Sequence, residues 1–119
     1  MTLPLTVDTI RASYDFLCTT PPFNRWNMPD SEEVVFEVGK DPHMRGWHYD
    51  DDGHGRQKIT ISKRTIGQAI WLLMTMAHEM IHMHQYQTKS YTRGTEHNAA
   101  FKRWAGQVCK VHAFDPKMF

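Results

Sequence analysis

The sequence predicts a small α+β domain in which a short antiparallel sheet packs on a long helix, with a second helix after it. Alternating apolar residues in the first half of the chain indicate short strands. Apolar residues at spacings of three and four indicate helices near the start and in the second half. The chain has 119 residues, of which 40% are hydrophobic, so we expect one domain over residues 1–119 with its own core.

A helix and a strand are expected first. The helix covers residues 6–19, where apolar residues recur every three or four positions: Val7, Ile10, Tyr14 and Leu17. Pro21 and Pro22 follow it, and proline does not continue a helix. Residues 33–38 are predicted to form a strand because Val34, Phe36 and Val38 alternate with polar residues.

A β-hairpin is predicted next, with strands at residues 45–49 and 57–62. Its turn contains Gly53 and Gly55, which adopt positive φ easily. The acidic residues and histidine at 50–54 also suggest a second metal site. The ligand pattern of a calcium loop is absent, however, so a solvated turn is favoured.

Two helices are predicted in the second half of the chain. Residues 65–87 lack proline, and their apolar residues keep helical spacing from Ile66 to Ile81. After a loop at residues 88–94, a second helix runs from about residue 95 to residue 111. Thr95 resembles its N-cap.

The long helix carries the pattern His-Glu-x-x-His, formed by His78, Glu79 and His82. Residues four apart on an α-helix project from the same face, so both imidazoles can bind one ion. Glu79 can then reach a water molecule at that ion. This pattern is typical of zinc hydrolases that activate water for peptide cleavage. The alternative is a helix whose histidines simply face solvent.

A hydrolytic zinc site needs a third protein ligand. His97 is the favoured candidate, because the predicted second helix would place it in its first turn, packed against the long helix. Glu96 is the alternative, since some zinc peptidases take a glutamate from a second helix. His84 is too close to His82 along the helix to share the same ion.

These residues resemble the SprT-like, or Spartan-like, zinc metalloprotease family. The family pattern is His-Glu-x-x-His, a variable loop, and a His-Gly-x-x-Phe-like segment that opens a helix. Residues 78–82 and 97–101 match it, with Asn98 in place of the usual glycine. The predicted hairpin also resembles the one that precedes the active-site helix, so the resemblance covers residues 34–112.

The resemblance implies a zincin-like metalloprotease core. His78, His82 and His97 would bind Zn²⁺, and Glu79 would be the general base. Family members cleave proteins, and well-known members act on proteins crosslinked to DNA. A protein or peptide substrate and a role in DNA–protein crosslink repair are therefore the expectations for this chain.

Charge is distributed unevenly along the chain. Residues 1–54 contain 4 Lys/Arg and 10 Asp/Glu, a net charge of −6, whereas residues 55–119 contain 10 and 3, a net charge of +7. The second half would therefore present a basic face that attracts DNA or acidic protein, formed by Arg93, Lys102, Arg103 and Lys110. An ordinary solvated helix face is the alternative.

A second class of function follows from this charge distribution, namely a non-catalytic, zinc-stabilised module that binds nucleic acid. The glutamate of the His-Glu-x-x-His pattern argues against it, because a purely structural zinc site does not need Glu79. A third hypothesis is hydrolysis of a non-peptide amide, since the pattern does not specify its substrate.

The sequence contains no apolar run long enough to cross a membrane and no secretory signal. Its two cysteines, Cys18 and Cys109, are too few for a disulfide framework and are expected to be reduced. A cytoplasmic monomer with no membrane partner is therefore expected.

Overall fold

The structure is a computed structural model that describes residues 4–63 and 68–119. Within these residues it has three α-helices, two short 3-10 helices (Phe23–Arg25 and Ser31–Glu33) and three strands. In chain order the helices and strands are α1 (Val7–Cys18), β1 (Val35–Gly39), β2 (Gly46–Tyr49), β3 (Lys58–Ser62), α2 (Ala69–Thr88) and α3 (Ala99–His112). The predicted α+β class is confirmed.

Helix α1 begins at a reciprocal cap. The Thr9 backbone N–H donates to Thr6 Oγ1 at 3.1 Å, and the Thr6 backbone N–H donates to Thr9 Oγ1 at 2.9 Å. Both groups lack partners within the helix, so the cap stabilises the helix end. The predicted apolar stripe is fully buried at Ile10, Tyr14 and Leu17. The predicted helix at residues 6–19 is confirmed to within one residue at each end.

The sheet is mixed, and the predicted antiparallel sheet is correct only for the hairpin. β2 and β3 pair antiparallel, but β1 pairs parallel with β3, giving the order β1-β3-β2. Alternation of apolar residues predicts that a segment is a strand without fixing its neighbour or its direction. Strand β1 also begins later than the predicted start at residue 33, because Glu33 belongs to the second 3-10 helix.

Helix α2 lies at the centre of the molecule, in contact with α1, α3, β2 and β3. Its buried residues include Leu72, Met76, Met80 and Ile81. The helix was predicted at residues 65–87 and spans Ala69–Thr88, while residues 65–67 lie outside the described residues. None of the helices in the described ranges has both the length and the apolar character that a membrane span requires.

β2 approaches α2 closely at Gly46. A β-carbon placed on Gly46 would lie 2.8 Å from Thr75 Cγ2 and 2.9 Å from the Thr60 carbonyl oxygen. Both distances are shorter than van der Waals contact, so only glycine fits without movement of a neighbour. This approach brings the start of β2 beside the helix turn that leads into His78 and Glu79.

Helix α3 begins later than predicted. Thr95 is not its N-cap. Instead, Asn98 Oδ1 accepts a hydrogen bond from the Phe101 backbone N–H at 3.0 Å. Thr95 pairs with Thr92 in an isolated antiparallel bridge, which keeps that part of the chain out of the helix. His97 therefore lies just before the helix and not in its first turn.

Candidate metal centre

Three histidines converge at one point between α2 and the loop before α3. His78 and His82 lie one turn apart on α2, with ring centroids 5.0 Å apart. His97 reaches them from the loop, and its Nε2 lies 3.1 Å from His78 Nε2. One imidazole nitrogen from each residue lies within 4.8 Å of the other two.

This arrangement fits a zinc ion. Two nitrogens on a tetrahedral zinc with bonds of 2.0–2.1 Å are about 3.3 Å apart, close to the 3.1 Å between His78 Nε2 and His97 Nε2. Three imidazole ligands also leave one position for water or substrate, as catalytic zinc sites require. The three imidazole donors and this one distance are therefore compatible with a single zinc ion.

The electrostatics of the site keep two of the imidazoles neutral. Burial, followed by the nearby His82 and His97, lowers the pKa of His78 to about 3. Burial is also the main cause that lowers the pKa of His82 to about 4. At neutral pH both rings therefore retain a lone pair for a metal ion, which a protonated imidazole could not offer.

Glu79 lies in the same cleft, with its side chain between the helix and the sheet. Only 4% of the residue is exposed, and no donor among the described residues hydrogen-bonds its carboxyl group. Burial, with a smaller contribution from the charge of Glu96, raises the pKa of Glu79 to about 8. In the metal-free protein this carboxyl group is therefore largely protonated at neutral pH, and a cation bound beside it would lower its pKa so that it could accept a proton as a general base.

A comparison with known families adds an independent observation. The model of the SprT-like family matches residues 31–118. The chain belongs to the SprT-like family. No curated protein and no solved structure matches it. The matched range contains the whole sheet, helices α2 and α3, and all three histidines, so the family assignment rests on the part of the chain that forms this centre.

Outer hydrogen bonds hold both helix histidines of this SprT-like chain. His78 Nδ1 lies 3.1 Å from the Phe119 main-chain oxygen, and His82 Nδ1 lies 2.9 Å from Gln85 Oε1. Both partners are oxygen acceptors, so each Nδ1 carries the proton and each Nε2 is left as the metal-binding atom. Sequence reasoning missed both partners. Only the spacing of three residues between His82 and Gln85 on a helix could have indicated one of them.

Phe101 forms an apolar floor beneath the histidines, and sequence reasoning did not assign it to the site. Its ring centroid lies 4.9 Å from that of His78, 4.7 Å from His82 and 4.5 Å from His97. It is 5% exposed. The phenylalanine that follows the third histidine by four residues in the SprT-like pattern thus packs against all three candidate ligands.

The structure separates the other two candidates from this cluster. Glu96, the alternative third ligand, is exposed and lines the cleft, but the three-residue cluster is completed by His97. His84 lies elsewhere, stacked on Trp26 with ring centroids 4.1 Å apart and edge-on to Trp104 at 4.5 Å. His84 therefore packs against these rings and does not join the cluster; the sequence predicted only that it would not share an ion with His82.

A cleft of about 630 Å³ opens over the centre. One wall is β2, and the opposite wall is the loop before α3, including Tyr91, Arg93 and Glu96. The volume is that of a typical ligand site. The residues at 50–54 form the hairpin turn, where Asp51 and Asp52 accept backbone hydrogen bonds, as expected for a solvated turn.

Proposed function

We propose that this chain is a zinc-dependent metallopeptidase that hydrolyses peptide bonds with water. The observation that carries the proposal is the convergence of His78, His82 and His97 on one point, with the buried carboxyl group of Glu79 in the same cleft. A structural zinc site is usually closed by four protein ligands. Three ligands beside a general base favour catalysis instead.

The residues divide the chemistry between them. His78, His82 and His97 would hold Zn²⁺, and the bound ion would supply a Lewis acid that lowers the pKa of water and polarises the substrate carbonyl. Glu79 accepts the proton as water attacks the carbonyl carbon. It then returns that proton to the nitrogen of the leaving amine, so the carboxylate is regenerated.

The sheet offers a place for the substrate. Within the described residues β2 is an edge strand, and all four of its residues line the cleft: Gly46, Trp47, His48 and Tyr49. An extended peptide can add to such an edge through main-chain hydrogen bonds. We propose that it does so here, which would place a peptide carbonyl beside Glu79 and the histidines.

The charge distribution supports a substrate class of DNA-associated proteins. Lys102, Arg103 and Lys110 are exposed on α3, and Arg93 lines the cleft. Exposed basic side chains attract the phosphate backbone of nucleic acid. The competing proposal, a non-catalytic module that binds nucleic acid through these residues, predicts binding without turnover.

An assay with an unfolded protein substrate separates these proposals. The samples are zinc-loaded wild type, Glu79→Gln, and Glu33→Gln as a control that is exposed and outside the cleft. We expect wild type and Glu33→Gln to cleave the substrate. Glu79→Gln should keep zinc and lose about 10²–10⁴-fold in turnover, because the general base is gone.

Each of the remaining outcomes would count against one of the proposals. Full activity in Glu79→Gln would refute the proposed role of this residue. Zinc binding without cleavage by any sample, together with retention on single-stranded DNA, would favour the non-catalytic module. Zinc binding with cleavage of small amides alone would favour the non-peptide hydrolase.

A further inference from the structure

We infer that Gln85 and Asn98 form a hydrogen-bonded relay that positions two of the three candidate ligands, His82 and His97. Neither residue touches the point where the histidines converge, so both are positioning residues. The inference rests on the proposed metal site, because it assigns the residues that give that site its geometry.

Asn98 is the anchor of the relay, because its side-chain amide makes four hydrogen bonds. The Oδ1 atom accepts from the Phe101 backbone N–H at 3.0 Å and from Gln85 Nε2 at 3.0 Å. The Nδ2 atom donates to the Ser90 carbonyl at 2.9 Å and to Thr92 Oγ1 at 3.0 Å. This uses the full capacity of an amide, which has two acceptor sites and two donors.

The direction of every bond in the relay follows from the backbone. The Phe101 N–H can only donate, so the Asn98 atom that faces it must be Oδ1. Gln85 must then present its Nε2 to Asn98, and therefore its Oε1 to His82. The His82 nitrogen that faces this oxygen must carry the proton. The relay thus fixes His82 as the Nδ1–H tautomer, with the lone pair on Nε2.

The same side chain fixes the position of His97. His97 is exposed and lies in the segment before α3, outside any helix or strand that could hold it in place. Its neighbour Asn98 joins this segment to α2 through Gln85, to the preceding loop through Ser90, and to the start of α3. Gln85 is 1% exposed, so its link to Asn98 is shielded from water.

Zinc affinity tests the relay. Gln85→Met keeps a long buried side chain and removes both hydrogen bonds. Asn98→Ser keeps a helix cap but is too short to reach Gln85. The matched control is Thr6→Ala, which removes the side-chain cap of α1 and destabilises the fold away from the centre. Affinity is measured by competition with a chelator, and geometry by the visible spectrum of the cobalt-substituted protein.

We expect both relay variants to lose about 10- to 100-fold in zinc affinity, as the loss of a hydrogen bond that orients a metal ligand typically does. Their cobalt spectra should also change, whereas Thr6→Ala should match wild type in both measurements. Wild-type affinity and an unchanged spectrum in the relay variants would overturn the inference. So would an equal loss of affinity in Thr6→Ala, because the effect would then follow from lower stability.

A second measurement needs no metal and separates this inference from the proposed function. Nitrogen-15 NMR of the metal-free protein at neutral pH should show His82 of wild type as the Nδ1–H tautomer, and Gln85→Met should show a mixture. The same mixture in wild type would overturn the relay. Failure of wild type to bind zinc would instead refute the proposed function, and the tautomer result would still decide the relay.

Discussion

The buried carboxyl group of Glu79 makes the stability of the metal-free protein depend on pH. Burial raises the pKa of Glu79 to about 8, whereas an unperturbed glutamate has a pKa of 4.5. Between these two values the folded protein holds a proton that the unfolded chain has released. The stabilisation is therefore present at low pH and is lost as the pH rises toward 8. Glu79→Gln removes this dependence.

The size of the effect follows from the two pKa values. Each unit of difference corresponds to 1.36 kcal/mol, so wild type should lose about 2 kcal/mol relative to Glu79→Gln between pH 6 and pH 8. His78 and His82 act in the opposite direction, because their lowered pKa values make the folded state more stable as the pH rises toward 6.5. Comparing the two proteins at each pH largely cancels the histidine contribution.

Urea denaturation in the presence of a chelator measures this difference. The free energy of unfolding of both proteins is determined at several pH values between 6 and 8 by tryptophan fluorescence. The exposed Glu33→Gln variant serves as the control and should keep a constant difference from wild type. A difference between Glu79→Gln and wild type that stays constant over this range would refute the reasoning, because Glu79 would then be ionised in the folded protein.

Three further predictions concern the site, the fold and the basic residues. His97→Ala should lose most of the bound zinc in elemental analysis, whereas His84→Ala should keep it and lower stability; equal zinc contents would exclude His97 as a ligand. Gly46→Ala should lower the free energy of unfolding by about 1–3 kcal/mol, because its new methyl group overlaps a threonine of α2; wild-type stability would contradict this contact. Lys102→Glu with Arg103→Glu should weaken retention on single-stranded DNA, most clearly at low salt; unchanged retention would refute the basic face.

The helices could be predicted from the sequence because the pattern that specifies them is local. α1 repeats its apolar residues at helical spacing and begins at a threonine cap, and both features are visible in about a dozen residues. The arrangement of the sheet was harder to predict from the sequence. Apolar alternation identified β1, yet its parallel pairing with β3 depends on how residues 40–45 carry the chain to the far edge of the sheet.

The position of the candidate site could likewise be predicted only in part. His78, Glu79 and His82 share one helix, so their spacing predicted that they would lie together. The sequence pattern placed His97 inside the second helix, whereas the helix begins after it. Asn98 is the N-cap, and its side-chain oxygen accepts a hydrogen bond from the Phe101 backbone N–H. The same amide oxygen accepts from Gln85, thirteen residues earlier in the chain. Asn98 and Thr95 both have side chains that suit an N-cap, so local preference could not show which of them caps α3. The hydrogen bond from Gln85 on α2 favours Asn98.

This contact connects the fold to the proposed chemistry. A helix can present two imidazoles on one face without help, but a third ligand from another segment must be held against them at a fixed distance. In this chain the N-cap of α3 provides that connection, since the group that begins the helix also hydrogen-bonds the partner of His82. Assembly of the three-histidine centre therefore depends on the docking of α3 on α2, and its geometry should be lost before the helices themselves unfold.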